Sequence, residues 1–297
     1  MVASSERPRP ESSEPDSELS DLSLQATAPA AVHTWRGGEL REATDTLIQE
    51  VPVALVFNGI SHAVMLATPE HLDDFALGFA LSEGLLKGAS ELYGLEVNTQ
   101  PEGISVEMEV ASRAFDALKG RRRSLAGRTG CGLCGLESLQ QVEPPLAALP
   151  RAMGDRLAPA AIARALADLP RHQRLQQSTG ASHAAAFCSP QGEVLLLRED
   201  VGRHNALDKL IGAMARAQQA AQPGFVCITS RASVEMVRKA IAAGANTLVA
   251  VSAPTARAVA VAQAHGLTLV GFARGHDLVL YAHADRIAAV DVPSASP

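Results

Sequence analysis

The sequence predicts an α/β protein, with a C-terminal layered α/β domain and a smaller α+β N-terminal domain. Three observations predict it. From Ala184 onward short apolar runs alternate with amphipathic stretches, the signature of strands covered by helices. Three of those runs begin about 21 residues apart, separated by helical stretches that close at Gly244 or Gly266, as crossovers in a parallel sheet require. Before residue 115 the dominant period is that of half-exposed strands, with one helix among them.

The elements follow in chain order. Residues 1–30 hold seven serines and four prolines with little apolar periodicity, and read as a disordered tail. Folded structure is expected from near Trp35. Val51 to Phe57 and His62 to Ala67 flank the turn pair Asn58-Gly59, a hairpin signal. Thr68 is expected to cap a helix with Pro69 at its first position; Leu72, Phe75, Ala76, Phe79 and Ala80 form its apolar face, and Gly84 or Gly88 ends it. Ile104, Val106, Met108 and Val110 alternate as a strand does. Between Ala114 and Pro150 periodicity fails, which marks a long functional loop. A helix near 159–169 leads to strands near 184–188, 194–198, 225–229, 247–251 and 268–272, with helices near 205–219, 233–243 and 255–265. The expected organisation is therefore a tail at 1–30, an N-terminal domain at 31–115, a loop region at 116–150, a C-terminal domain at 151–290 and a tail at 291–297.

Composition narrows the function classes. The chain has 297 residues, 31.0 kDa, 47% hydrophobic and 3% aromatic residues, so alanine, valine and leucine must build the core. Four cysteines, two of them in a CxxC pair, suit thiol chemistry or a metal in a reducing compartment better than a disulfide scaffold. No apolar stretch reaches a membrane-spanning length, and the expected location is cytoplasmic. The net charge is −6, and the first thirty residues carry six acids against two arginines. Nothing in that balance favours duplex nucleic acid.

Gly127-Arg-Thr-Gly-Cys-Gly-Leu-Cys-Gly135 is the sharpest motif, and Cys131 with Cys134 are its candidate catalytic residues. Three readings compete. A zinc site needs two more ligands, and the sequence offers no second CxxC and no HxxxH. A thioredoxin-type dithiol belongs where a strand enters a helix, whereas glycines flank this pair. A sulfur carrier wants an exposed thiolate on a pliant loop near cations, and Arg128 and Arg121 to Arg123 are close in sequence. Cys188 and Cys227 lie in apolar runs and read as core.

The second cluster is Arg198-Glu-Asp-Val-Gly-Arg-His-Asn-Ala-Leu-Asp-Lys209, which leaves a strand and enters a helix. Arg203 and His204 are candidate ligand contacts, with Asp200 or Glu199 expected to orient His204. Thr229 to Ser233 and Ser252 to Thr255 also pair a strand end with a helix start, so their hydroxyls suit capping. Several helix N-termini on one carboxyl edge nevertheless make a place for phosphate. Ser252 and the segment Phe272, Ala273, Arg274, Gly275, His276 and Asp277 join that edge as candidates. His183 is secondary. The zinc-deaminase signature is absent: no histidine is followed two places later by Glu, and Gly130 precedes Cys131.

Taken together, Thr129 to Gly135, Arg198 to Lys209, Ser230 to Lys239 and Val251 to Thr255, with Leu72 to Phe79, resemble the FdhD/NarQ family of formate dehydrogenase accessory sulfurtransferases over residues 45–285. The resemblance implies a carrier that accepts persulfide sulfur from a cysteine desulfurase on Cys131. It implies delivery to the molybdenum or tungsten bis(molybdopterin guanine dinucleotide) cofactor of formate dehydrogenase, with Phe272 to Asp277 against the guanine dinucleotide. It further implies a C-terminal domain of cytidine deaminase type and a homodimer, with no metal held by the protein itself. Ala181 and Thr229-Ser230 depart from the family pattern, away from the thiols. The rival reading is a non-catalytic cofactor chaperone for the same enzyme, its cysteines holding zinc or stabilising the fold.

Overall fold

A computed structural model describes residues 25–115, 146–149, 156–218 and 222–288. The CxxC pair, the neighbouring arginines and residues 1–24 lie outside the described residues. Three sheets organise the rest. Strands β1 (Thr27–Arg36) and β2 (Glu39–Ile48) form a two-stranded ribbon. Four of its residues, Thr27 to Ala30, fall in the stretch expected to be tail. β3 (Val51–Phe57), β4 (Ile60–Ala67), β5 (Leu92–Gln100) and β6 (Gly103–Val110) make a sheet in the order β4-β3-β6-β5. The expected hairpin is there: β3 and β4 pair antiparallel, and Asn58 and Gly59 both take positive φ. Helix α1 (Leu72–Ser82) puts Phe75, Ala76 and Phe79 against Val53, Leu55, Phe57, Ile104 and Val106.

α1 starts later than expected. His71, at φ 55°, is its N-cap, and Thr68 does not cap it. Thr68 is fully buried and serves the other sheet instead, accepting from the Val201 N–H at 3.1 Å and donating its own N–H to Asp200 Oδ2 at 3.0 Å. Gly84, one of the two expected stops, follows the C-cap Glu83 at positive φ.

The large sheet has the order β12-β11-β10-β9-β7-β8, from β7 (His183–Cys188), β8 (Val194–Asp200), β9 (Phe225–Ile228), β10 (Thr247–Ala250), β11 (Thr268–Arg274) and β12 (Asp277–Ala282). The run β9-β10-β11 is parallel, as the repeat spacing predicts, whereas β7, β8 and β12 add antiparallel pairs. Alternation sorts its two faces. Ala185, Phe187, Val226, Ile228, Leu248 and Leu269 meet α4 (Arg203–Arg216), α5 (Val234–Ala242) and α6 (Ala256–His265). Ala186, Cys188, Cys227, Val249 and Val270 meet α2 (Pro159–His172). Cys188 and Cys227 are thus core residues, as expected, and contact with Cys188 together with burial pushes the Cys227 thiol well up. The short α3 (Arg174–Thr179) follows α2.

The two larger sheets are joined through α1 and α4. A Cβ on Gly78 would stand 1.7 Å from the Asp208 carbonyl oxygen, and one on Gly212 would stand 1.9 Å from that of Asp74. Only paired glycines allow backbones so close.

Candidate functional site: the carboxyl edge of the large sheet

β7 runs against β9 and β8 runs against β7, so the ends of β8, β9, β10 and β11 and the start of β7 share one edge. Helices α4, α5 and α6 all begin there. That edge gathers Gly202 to His204, Thr229 to Ser233, Ser252 to Thr255 and Phe272 to Asp277, as the sequence predicts, and brings His183 beside them. Their roles differ.

His204, in the first turn of α4, is held by Glu235, Nε2 to Oε2 at 3.1 Å. Glu235 also accepts from Ser233 Oγ at 3.2 Å, and Ser233 caps α5 by accepting from the Met236 N–H. The His204 hydrogen bond, against some desolvation, keeps the Glu235 carboxyl below its ordinary range. His183 is lowered by partial burial and then by the neighbouring Arg203 and His204, which favours its neutral imidazole. Together Arg203, His204, His183 and Glu235 make a half-exposed, polar corner.

The expectation that Asp200 or Glu199 orients His204 is corrected. Asp200 is fully buried and accepts from Lys209 Nζ at 2.7 Å, the Gly202 N–H at 2.7 Å, Asn205 Nδ2 at 3.0 Å and the Thr68 N–H. Glu199 accepts from the N–H groups of Leu175 and Gln176 at 2.8 and 2.9 Å, which caps α3, and from Ser182 Oγ at 2.6 Å. Both carboxylates are spent on the fold.

The same holds for other members of the 198–209 motif. Arg198 pairs with Asp74 at 2.7 Å, Asn205 donates to the Leu66 carbonyl at 2.7 Å, and Lys209 donates to the Thr68 carbonyl at 2.9 Å. Asp208 accepts from Ser82 Oγ at 2.6 Å and from Lys239 Nζ at 3.0 Å. Burial works to discharge Lys239, but Asp208 and Glu83 hold its ammonium well above the ordinary lysine value. Of the twelve residues, Arg203 and His204 are the ionisable ones turned to the edge corner. Glu235 is the partner of His204 that sequence reasoning left without a role; it lies in the first turn of α5.

The β11–β12 connection forms the outer lip. Arg274 pairs with Asp277 across Gly275 and His276, all exposed, so the segment is a hairpin tip and β12 was missed as a strand. Phe272 takes φ 49°, is 44% exposed and donates its N–H to the Ser252 carbonyl at 3.2 Å. Gly271 permits that approach, since a Cβ there would lie 2.9 Å from both Pro254 Cδ and Tyr281 Cε2. Ala273 points the other way, into the α2 side of the core, so only its backbone is available to a ligand. Thr255 caps α6, and the loops after β9 and β10 are tied by a bridge between Ala232 and Pro254. An aromatic face, Arg274, three helix N-termini and a neutral imidazole make an edge able to receive a planar base and its phosphates. Among the described residues no group of histidines, cysteines and carboxylates suits a metal, and no helix is long and apolar enough to cross a membrane.

A model of the FdhD/NarQ family matches residues 48–288. The chain belongs to the FdhD/NarQ family. Its similarity to curated FdhD/NarQ members is high. The sulfur carrier protein FdhD of Variovorax paradoxus (strain S110) is 60% identical over 272 residues, covering 91% of this chain and 97% of that protein. The sulfur carrier protein FdhD of Cupriavidus necator is 56% identical, covering 86% and 88%. Among solved structures, a putative formate dehydrogenase accessory protein from Desulfotalea psychrophila superposes with a TM-score of 0.68 at 22% identity, covering 89% of this chain and all of that one. At that identity the likeness speaks to the FdhD/NarQ fold alone.

Proposed function

We propose that this chain is a sulfur carrier that loads the bis(molybdopterin guanine dinucleotide) cofactor of formate dehydrogenase, with molybdenum or tungsten as the cargo's metal. The observation that carries the reading is identity of 60% over nearly the whole length of a protein named as a sulfur carrier. The Cys131 thiolate attacks the outer sulfur of a cysteine desulfurase persulfide, and the desulfurase thiolate leaves. The sulfur then passes to the cargo. In one route Cys134 attacks the inner sulfur, closes a disulfide with Cys131 and expels hydrosulfide, and a cellular dithiol reopens the disulfide. In this reading Arg203, Arg274, the Phe272 ring and the helix starts after Gly202 and Ser252 hold the cargo's phosphates and guanines, so transfer becomes effectively intramolecular. His204, positioned by Glu235, and neutral His183 supply proton donors and acceptors beside it.

The proposal includes a cytoplasmic location, a homodimer, a two-domain division of the chain and a deaminase-like C-terminal scaffold. The mixed sheet covered by helices on both faces supports the last of these.

The test is mass spectrometry of the full chain after incubation with a cysteine desulfurase and cysteine. The expected result is a gain of about 32 Da, one sulfur atom, mapped to Cys131 and lost in Cys131→Ala. A chain that takes up no sulfur but holds stoichiometric zinc through Cys131 and Cys134 would overturn the reading in favour of a cofactor chaperone.

A further inference from the structure

Two exposed apolar surfaces lie outside the edge site, and they sit next to each other in the chain. The first is the β1–β2 ribbon. Ten registered pairs run from Thr27 and Ile48 at the root to Arg36 and Glu39 at the tip, a length of about 34 Å at strand rise. Among the described residues neither outer edge pairs with a third strand, and the ribbon meets the body through β2 against α3. A two-stranded hairpin is marginal in water unless something covers it. Its tip carries the chain's single tryptophan, Trp35, opposite Leu40; they are 70% and 61% exposed. The second surface is the outer face of the four-stranded sheet. There Val64 and Leu66, 63% and 55% exposed, stand beside their pairing partners Ala54 and Pro52, and the face turns acidic at Glu107 and Glu96.

The chain's own tip cannot cover that face. Gln49 and Glu50 alone separate β2 from β3, and Leu66 pairs with Pro52, so the apolar face begins at the ribbon's root. The Trp35 end stands about eight residues further out, roughly 27 Å away. A second copy meets no such restriction, because each copy carries both an arm and a face.

We propose that the β1–β2 ribbon is an arm that clasps a second copy of this chain, Trp35 and Leu40 lying on the Val64 and Leu66 face of the other copy, with the contact made twice. The area fits. One ribbon face of about 34 by 10 Å covers roughly 340 Å², and reciprocal exchange doubles that to about 700 Å² per copy, close to the roughly 800 Å² per partner of a stable interface. The inference rests on the two-copy assembly proposed above and makes no use of sulfur transfer.

Sedimentation equilibrium on the full chain tests it, with Trp35 emission as a second readout. The wild type is expected at twice the 31.0 kDa chain mass in the micromolar range, with Trp35 emission shifted to the blue. Leu40→Glu on the arm and Leu66→Glu on the face should each weaken association at least tenfold and return the emission of a solvated indole, with far-UV circular dichroism unchanged. Mixing the two variants should restore one clasp of two and a measurable heterodimer. A dimer that survives either substitution overturns the arm and leaves the two-copy assembly standing. A wild type that stays monomeric at 100-fold higher concentration overturns both, while sulfur loading of Cys131 is measured independently of either.

Discussion

The middle and the C-terminal end of the 198–209 motif are both rich in polar and charged residues and differ completely in use. Arg203 and His204, at the start of α4, face a half-exposed corner with His183 and Glu235. One turn later Asp208 and Lys209 are sealed from water; Lys209 is paired with Asp200, and Asp208 with Lys239. Density of charge therefore says little about ligands until burial is known. A buried ion pair whose remaining valences are filled by Thr68, Gly202, Asn205 and Ser82 is a structural joint, while a half-exposed imidazole with one fixed partner retains chemistry to offer.

The largest expected effect breaks the joint. Lys209→Met leaves Asp200 charged and buried, and should cost about 3–5 kcal/mol by urea denaturation. Adding Asp200→Asn should return part of the loss, because the uncompensated charge is then gone. Next comes the helix contact beside the pair. Gly78→Ala drives a methyl into the Asp208 carbonyl and should cost about 1–3 kcal/mol, read as a lower denaturation midpoint.

The edge should respond far less in stability. Glu235→Gln should change it by under about 1 kcal/mol, since the pair with His204 is partly solvated. The sign of its pH dependence follows from a depressed carboxyl. What Glu235 contributes is fully present above its ordinary value of 4.5 and fades as pH falls through the lowered folded-state value. The difference in melting temperature between wild type and Glu235→Gln should therefore shrink as pH falls below the ordinary glutamate value of 4.5.

The same contrast explains what could be read from the sequence. The Asn58-Gly59 hairpin and the β9-α5-β10-α6-β11 run were legible because turn chemistry and apolar period act over a few residues. The positions of the edge segments followed from that topology. Thr68 misled because its hydrogen-bond partners lie more than 130 residues away, on Asp200 and Val201, and a cap assignment sees only the next turn. Glu199 and Asp200 misled in the same way: adjacency to His204 in sequence is no guide where Leu175, Ser182 and Lys209 claim the carboxylates. The ribbon was not read as strands, since alanine, threonine and charged residues give it almost no apolar alternation. Glu235 was hidden because its value lies in a contact with His204 across 31 positions.

The most direct test of the division between edge and joint uses the nine histidines as reporters, by imidazole NMR of the full chain titrated with GDP. His183, His204 and His276 should shift together and saturate, while His33 on the ribbon and His265 and His283, at the other end of α6 and β12, stay in place. Arg203→Ala should weaken that binding without lowering the denaturation midpoint. Absence of any shift at millimolar GDP, or shifts centred on His265 and His283, would contradict the assignment of the carboxyl edge as the nucleotide face.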